Sequence, residues 1–141
     1  MATATYDPML NVLSFAGLNI TGFAPDTYIS VERNEDAFTL VVGASGEATR
    51  SHNRNRSGLV KVTLMASSQS NDALSAIAVA DEISGSGVSV LFLKEANGTT
   101  LVSASNAWIK KLPVVDRAKE AGTVEWVFEC EDLSIFVGGL L

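Results

Sequence analysis

The chain has 141 residues, 47% of them hydrophobic, with a formal net charge of −6 and a single cysteine. That size and composition fit one folded domain burying roughly two-thirds of its unfolded surface, and they exclude general disorder. The acidic balance argues against a protein built to grip a phosphate backbone.

Cys130 has no partner for an internal disulfide, which favours a reducing compartment. No charged-then-apolar leader opens the sequence and no run approaches ~18 apolar residues, so neither a secretory signal nor a membrane span is expected. In chain order, residues 1–8 are polar and end in Pro8, which reads as an extended arm. Met9–Phe15 alternates as a first strand, and Ala16-Gly17-Leu18-Asn19 forms a tight turn into Ile20–Phe23. Tyr28–Arg33 shows the period-2 pattern of a half-buried strand, with Ile29 and Val31 on one face. Asn34-Glu35-Asp36 turns the chain into a second strand, where Phe38, Leu40 and Val42 share a face.

The next sixteen residues, Gly43–Gly58, contain no large apolar side chain and read as a long polar loop. Connections that long inside a compact domain are usually functional. Val60, Val62 and Leu64 then mark another half-buried strand. One helix is expected over 70–83: Ser67–Ser70 offers capping hydroxyls, Asp72 suits the first turn, and Ala73, Ile77, Ala80 and Ile83 recur at helical spacing. Asp81 and Glu82 sit in its last turn, against the helix dipole, where either solvent screens a small penalty or a basic group from a partner complements them.

Gly85-Ser86-Gly87 ends the helix, and Val88–Leu93 is apolar enough to suggest a strand buried on both faces. Asn97-Gly98 signals a hairpin into Thr100–Leu112, which Pro113 stops. Val124, Trp126, Phe128 and Cys130 alternate with Glu125, Val127, Glu129 and Glu131, and Leu133–Val137 gives a last short strand. About eight strands and one helix predict a mainly β fold: a small antiparallel barrel or sandwich, one flanking helix and a long extended hairpin loop.

Catalytic chemistry is sparse. His52, the only histidine, neighbours Ser51 in a loop that offers no third group to hold a dyad. One His and one distant Cys make no metal site, and no phosphate-cradling glycine motif is present, so no cofactor is expected. Two charged constellations remain. Arg50, His52, Arg54 and Arg56 occupy every second position, which places them on one face of an extended loop. Solvation, nucleic-acid binding and pairing with acids on a neighbouring subunit are all uses for that face. Glu125, Glu129 and Glu131 make an acidic strand face: a solvated sheet surface, or a channel wall that repels polyanions.

The runs Ile29–Phe38, Val42–Glu47, Asn55–Gly58 and Ser70–Ser75 resemble tail tube proteins of contractile-tailed bacteriophages, related in fold to tube proteins of type VI secretion and contractile bacteriocins. The resemblance implies one tail-tube-like domain over 1–141 that closes hexameric rings and stacks them into the inner tube, a conduit for DNA. It implies inter-ring contacts from the arm at Ala2–Pro8 and from the loop at 43–58. Glu47, Arg50, His52, Arg54 and Arg56 are the contact candidates there, with Asp81 and Glu82 offered here as acidic partners. Glu125 and Glu129 are candidates for the lumen wall. Sheath, tape-measure, baseplate and tail terminator are the implied partners, DNA passes without specific binding, no membrane is involved, and no enzyme activity follows. The implied location is the virion tail, assembled in the host cytoplasm. The rival reading is a small β-barrel that binds single-stranded nucleic acid through Arg50–Arg56, a use that requires aromatic platforms beside the basic groups.

Overall fold

The structure, a computed structural model, describes residue 3 and residues 5–139. Most of the expected arm is therefore visible; Met1, Ala2 and Ala4 lie outside the described residues. A 3-10 turn at Pro8–Leu10 leads into ten strands: β1 (Asn11–Phe15), β2 (Leu18–Ile20), β3 (Ile29–Arg33), β4 (Phe38–Val42), β5 (Ala48–His52), β6 (Gly58–Met65), β7 (Ser89–Glu95), β8 (Leu101–Lys111), β9 (Thr123–Cys130) and β10 (Leu133–Phe136). The helix α1 spans Ser70–Ser84, between β6 and β7.

Eight strands form one antiparallel sheet in the order β2-β1-β7-β8-β9-β6-β3, with β10 pairing the first half of β8. The expected mainly β fold with one helix is what is found. The sheet curls around its core. β1 and β9 are three ladder steps apart, about 14 Å on a flat sheet, yet the rings of Phe15 and Phe128 lie 4.9 Å apart. A bulge in β8, where the register to β7 shifts between Leu91 and Ser89, sharpens that bend. Past β2, Gly22–Tyr28 bonds to the end of β6 with one isolated bridge, Phe23 to Leu64, so the described strands do not close into a continuous barrel ladder.

Alternation fixes the core. In β6 the fully buried side chains are Val60, Val62 and Leu64, and in β9 Trp126, Phe128 and Cys130. Their outward neighbours include Lys61, Glu125 and Glu129. Gly58, the first residue of β6, leaves no room for a side chain: a Cβ there would sit 2.5 Å from Leu133 Cδ2 and 2.6 Å from the Glu32 carbonyl oxygen.

Helix α1 covers one side. Its C-cap is Gly85, in the left-handed region, donating to the Asp81 carbonyl oxygen at 2.8 Å. The buried stripe differs from the expected one: Leu74 and Ala78 face the core with Ile77 beside them, while Ala80 and Ile83 are exposed. An alanine-rich helix has weak contrast between its faces, so spacing alone picks the wrong one. Trp126 Nε1–H donates to Asn71 Oδ1 at 2.9 Å, and Asn71 donates on to the Met65 carbonyl oxygen, which ties α1 to the end of β6.

Two further expectations change. β7 is covered on one face only, because Leu91 points inward while Val90 and Phe92 are exposed. Gly43–Gly58 is not one loop: its middle is β5, which pairs with β4 from Phe38–His52 to Val42–Ala48 and makes a two-stranded ribbon separate from the main sheet.

Candidate functional site

The ribbon is the most distinctive feature of the surface. All ten residues of β4 and β5 are exposed, and neither strand packs on the core. A two-stranded hairpin alone in water is marginal, so its order must come from local contacts and from whatever covers it. Its tip is the turn Gly43–Glu47, closed by Gly43 N–H to the Glu47 carbonyl oxygen at 2.7 Å. Along one face run Phe38, Leu40 and Val42, opposite His52, Arg50 and Ala48. There the Arg50 guanidinium lies 4.1 Å from the centroid of Phe38, and the His52 ring stacks on Phe38 at 4.8 Å. An exposed cation–π contact contributes about 0.5–1 kcal/mol.

The base is held by polar bonds. Asn53 N–H donates to the Ala37 carbonyl oxygen at 2.8 Å, and Asn34 N–H to that of Ser57 at 3.0 Å. One oxygen of Glu35 accepts from the side-chain amides of both Asn53 (2.8 Å) and Asn55 (3.0 Å). These two bonds to the charged form hold the Glu35 carboxyl below its usual range. Arg56 pairs with Asp132 at 3.1 Å and donates to Ser134 Oγ at 3.3 Å. Both partners of that pair are more than half exposed, so it contributes at most about 1 kcal/mol.

The sequence candidates thus fall into separate places. Arg50 and His52 share a ribbon face with Phe38, Glu47 lies in the tip, and Arg54 stands exposed beyond the ribbon with no ionic partner among the described residues. Arg56 is occupied within its own subunit. Asp81 is also engaged internally, since its carboxylate accepts from Gly87 N–H at 3.0 Å, which accounts for an acid in the last helical turn without any partner. Glu82 is exposed near Lys110 and Lys111. Glu125 and Glu129 point away from the core on β9, with Val127 between them facing Lys61 across the β6 ladder. That face therefore carries both signs of charge.

Several features are not legible in the sequence. Asn97 is buried and clamps the arm, its side chain donating to the Asp7 carbonyl oxygen (2.7 Å) and accepting from Asp7 N–H (3.0 Å). In sequence Asn97-Gly98 signals only a turn. Asn11 donates to the hydroxyls of Tyr6 and Tyr28, which lie 3.2 Å from each other. Partial burial and the Tyr6 contact push the Tyr28 hydroxyl above its usual pKa. On the outer face of the sheet, Phe136 sits opposite Leu101, with exposed Phe92 two rungs along β7, opposite Ser103. The one signal for this patch is the apolar run of β7, which by itself suggests double burial. Cys130 is buried, and desolvation with the nearby Glu129 charge raises its thiol to about 11, so it is chemically quiet. Among the described residues no His, Cys, Asp and Glu cluster is placed to hold a metal ion.

The subunit thus combines a packed core with a projecting ribbon and uncovered aromatic side chains, the kind of exposed apolar surface that marks interaction sites. Solved structures share the fold. The tube-terminating cap of the anti-feeding prophage superposes with a TM-score of 0.65 at 9% identity, over 96% of this chain and 93% of that one. The sheath/tube terminator of the PVC extracellular contractile injection system, in its extended state, gives 0.62 at 9% identity, over 97% and 100%. A chain of the PVC sheath-tube complex gives 0.58 at 11% identity, over 97% and 93%. At such identities the likeness is one of fold. The chain belongs to the bacteriophage PhiTE tail tube protein family, whose pattern matches residues 14–138. It is also 32% identical over 145 residues to structural protein ORF10 of Pseudomonas phage KPP10, covering 97% of this chain and 84% of that protein. It is a phage tail tube protein, a structural component of the virion tail.

Proposed function

We infer that this subunit closes hexameric rings that stack into the inner tube of the tail, and that the tube conducts DNA. The observation that carries this reading is the ribbon: an exposed two-stranded arm with Leu40, Val41 and Val42 uncovered, in a chain of the tail tube family. Stacking rings would bury those side chains and complete the arm. Within a ring, the uncovered row at Phe92, Leu101 and Phe136 offers apolar surface for a lateral neighbour, and interfaces of this obligate kind bury ~2,000 Å² or more. Pairing of open strand edges between neighbours would remove their aggregation hazard.

In this arrangement Glu47, Arg50, His52 and Arg54 make inter-ring contacts with the N-terminal arm. Arg56 supports the ribbon base from within, and Glu82 is a more available acidic partner than Asp81. Glu125 and Glu129 face the lumen, where carboxylates beside Lys61 keep transiting DNA from adhering. Sheath, tape-measure, baseplate and terminator proteins are the partners, assembly takes place in the host cytoplasm, and the chain acts by assembly and not by catalysis.

The nucleic-acid reading gains one point from the structure, since Phe38 supplies an aromatic ring beside Arg50. That ring is already engaged by Arg50 and by His52, which leaves little for a base to stack on. Negative-stain microscopy of the purified chain separates the two. Six-membered rings or tubes are expected. Persistent monomers that bind single-stranded DNA in a salt-sensitive way would overturn the tube reading.

A further inference from the structure

We propose that the apolar groove between β1, β2 and Gly22–Tyr28 is the receptor for the ribbon of a second copy of this chain, taking the side chains of Leu40 and Val42. The proposal rests on the stacking reading above and adds where the ribbon goes.

Four observations carry it. The groove encloses about 480 Å³ and is lined mainly by apolar side chains, among them Met9, Val12, Ile20, Phe23, Pro25 and Tyr28. Met9 is 88% exposed at its mouth, an unusual position for a large apolar side chain in an isolated subunit. Next comes placement. The ribbon leaves the β3–β6 ladder at its Arg33–Gly58 rung. The groove lies past the other end of that ladder, where Tyr28 and Ala24 bond to Thr63, and Gly22 to Met65. Donor and receptor are therefore about 20 Å apart along β6 and at opposite ends of it. A head-to-tail contact between identical subunits needs this, because one copy must offer its ribbon where the next offers its groove.

Shape is the third. The Leu40–Val42 edge of the ribbon is free, since Arg50 and His52 cover only Phe38 lower down. The fourth is charge. Arg50 lies on the ribbon face and Arg54 just past it; Glu47 is the one acid within Phe38–His52, and Glu35 and Asp36 sit behind it at the base, on a chain of net charge −6. Among the described residues no Lys, Arg or His lines the groove or the hollow beside it, which holds Asp26 and Glu95. Docking would set the arginines against that acidic rim.

Proximity within assembled tubes tests this. Cys130 is buried and unreactive, so paired cysteines can be introduced without removing it. Tubes of a Leu40→Cys/Met9→Cys chain, treated with a short bis-maleimide, are expected to give a ladder of covalent multimers. A Leu40→Cys/Glu32→Cys chain is the control, since Glu32 is exposed at the ribbon end of the β3–β6 ladder, opposite the end where the groove lies, and it should give none. Intact tubes without a ladder, or equal ladders from both pairs, overturn the groove while leaving ribbon-mediated stacking in place. Tubes from a chain whose ribbon has been removed would overturn the stacking reading itself. Should the cysteine pair block assembly, Met9→Glu in the otherwise unchanged chain decides. With the domain folded by circular dichroism, stacking about 10-fold weaker is expected, and tubes of unchanged stability overturn the groove.

Discussion

The main sheet and the β4–β5 ribbon are built from the same antiparallel ladder, yet they draw their stability from different places. In the sheet, the inward residues of β6 and β9 belong to one buried cluster with residues of β1, β7, β8 and α1, so the hydrophobic effect acts on nearly every second position. In the ribbon, neither face meets the core, and order rests on a cation–π stack, a tip turn and a polar base. One region is finished within the subunit. The other is held in shape by local contacts and left uncovered.

This contrast can be tested from the largest effect downward. Trp126→Ala removes a fully buried ring and leaves Asn71 Oδ1 without its donor, and should cost about 3–5 kcal/mol in urea unfolding. Leu40→Ala, made on the ribbon, should change unfolding by no more than about 0.5 kcal/mol. A similar loss for both would mean that the ribbon belongs to the folding unit after all. Gly58→Ala sits where the two regions join. Its Cβ would press on Leu133 and on the Glu32 carbonyl, so a loss of about 1–3 kcal/mol is expected. Phe38→Ala should leave thermal unfolding almost unchanged while the β4–β5 amides lose hydrogen-exchange protection. Full protection retained would show that the aromatic stack does not order the arm.

The smallest effect is acid-dependent. The Glu35 carboxyl has a lower pKa folded than unfolded, so its contribution to the base is present above the unfolded carboxylate value and is lost as pH falls through the folded one. Acid titration followed by NMR should loosen Asn53 and Asn55 before the main sheet changes. Glu35→Gln should abolish that early step, and an unaltered step in this variant would show that another group causes it.

The same contrast explains what can be read in the sequence. Val60, Val62 and Leu64 announce their burial because alternation against Lys61 and Thr63 is imposed by a core, and Trp126, Phe128 and Cys130 do likewise. β5 is invisible because Ala-Thr-Arg-Ser-His has no apolar period; it is a strand only through its ladder to β4. β7 misleads in an instructive way. Val90 and Phe92 look like core because they are apolar, and the subunit leaves them exposed, as surface awaiting a neighbour would be. Of the charged candidates, Arg56 and Asp81 have partners nearby in their own chain, which spacing cannot reveal.

The central claim is that the ribbon serves assembly and not the fold. Its base is already closed by the bond from Asn53 N–H to the Ala37 carbonyl oxygen, so Phe38–His52 can be replaced by a short glycine-serine turn with little strain. Electron microscopy of that chain, alongside its urea unfolding curve, tests the claim most directly. The expected result is a domain of unchanged stability that forms no tubes. Long tubes from the ribbonless chain would contradict the claim.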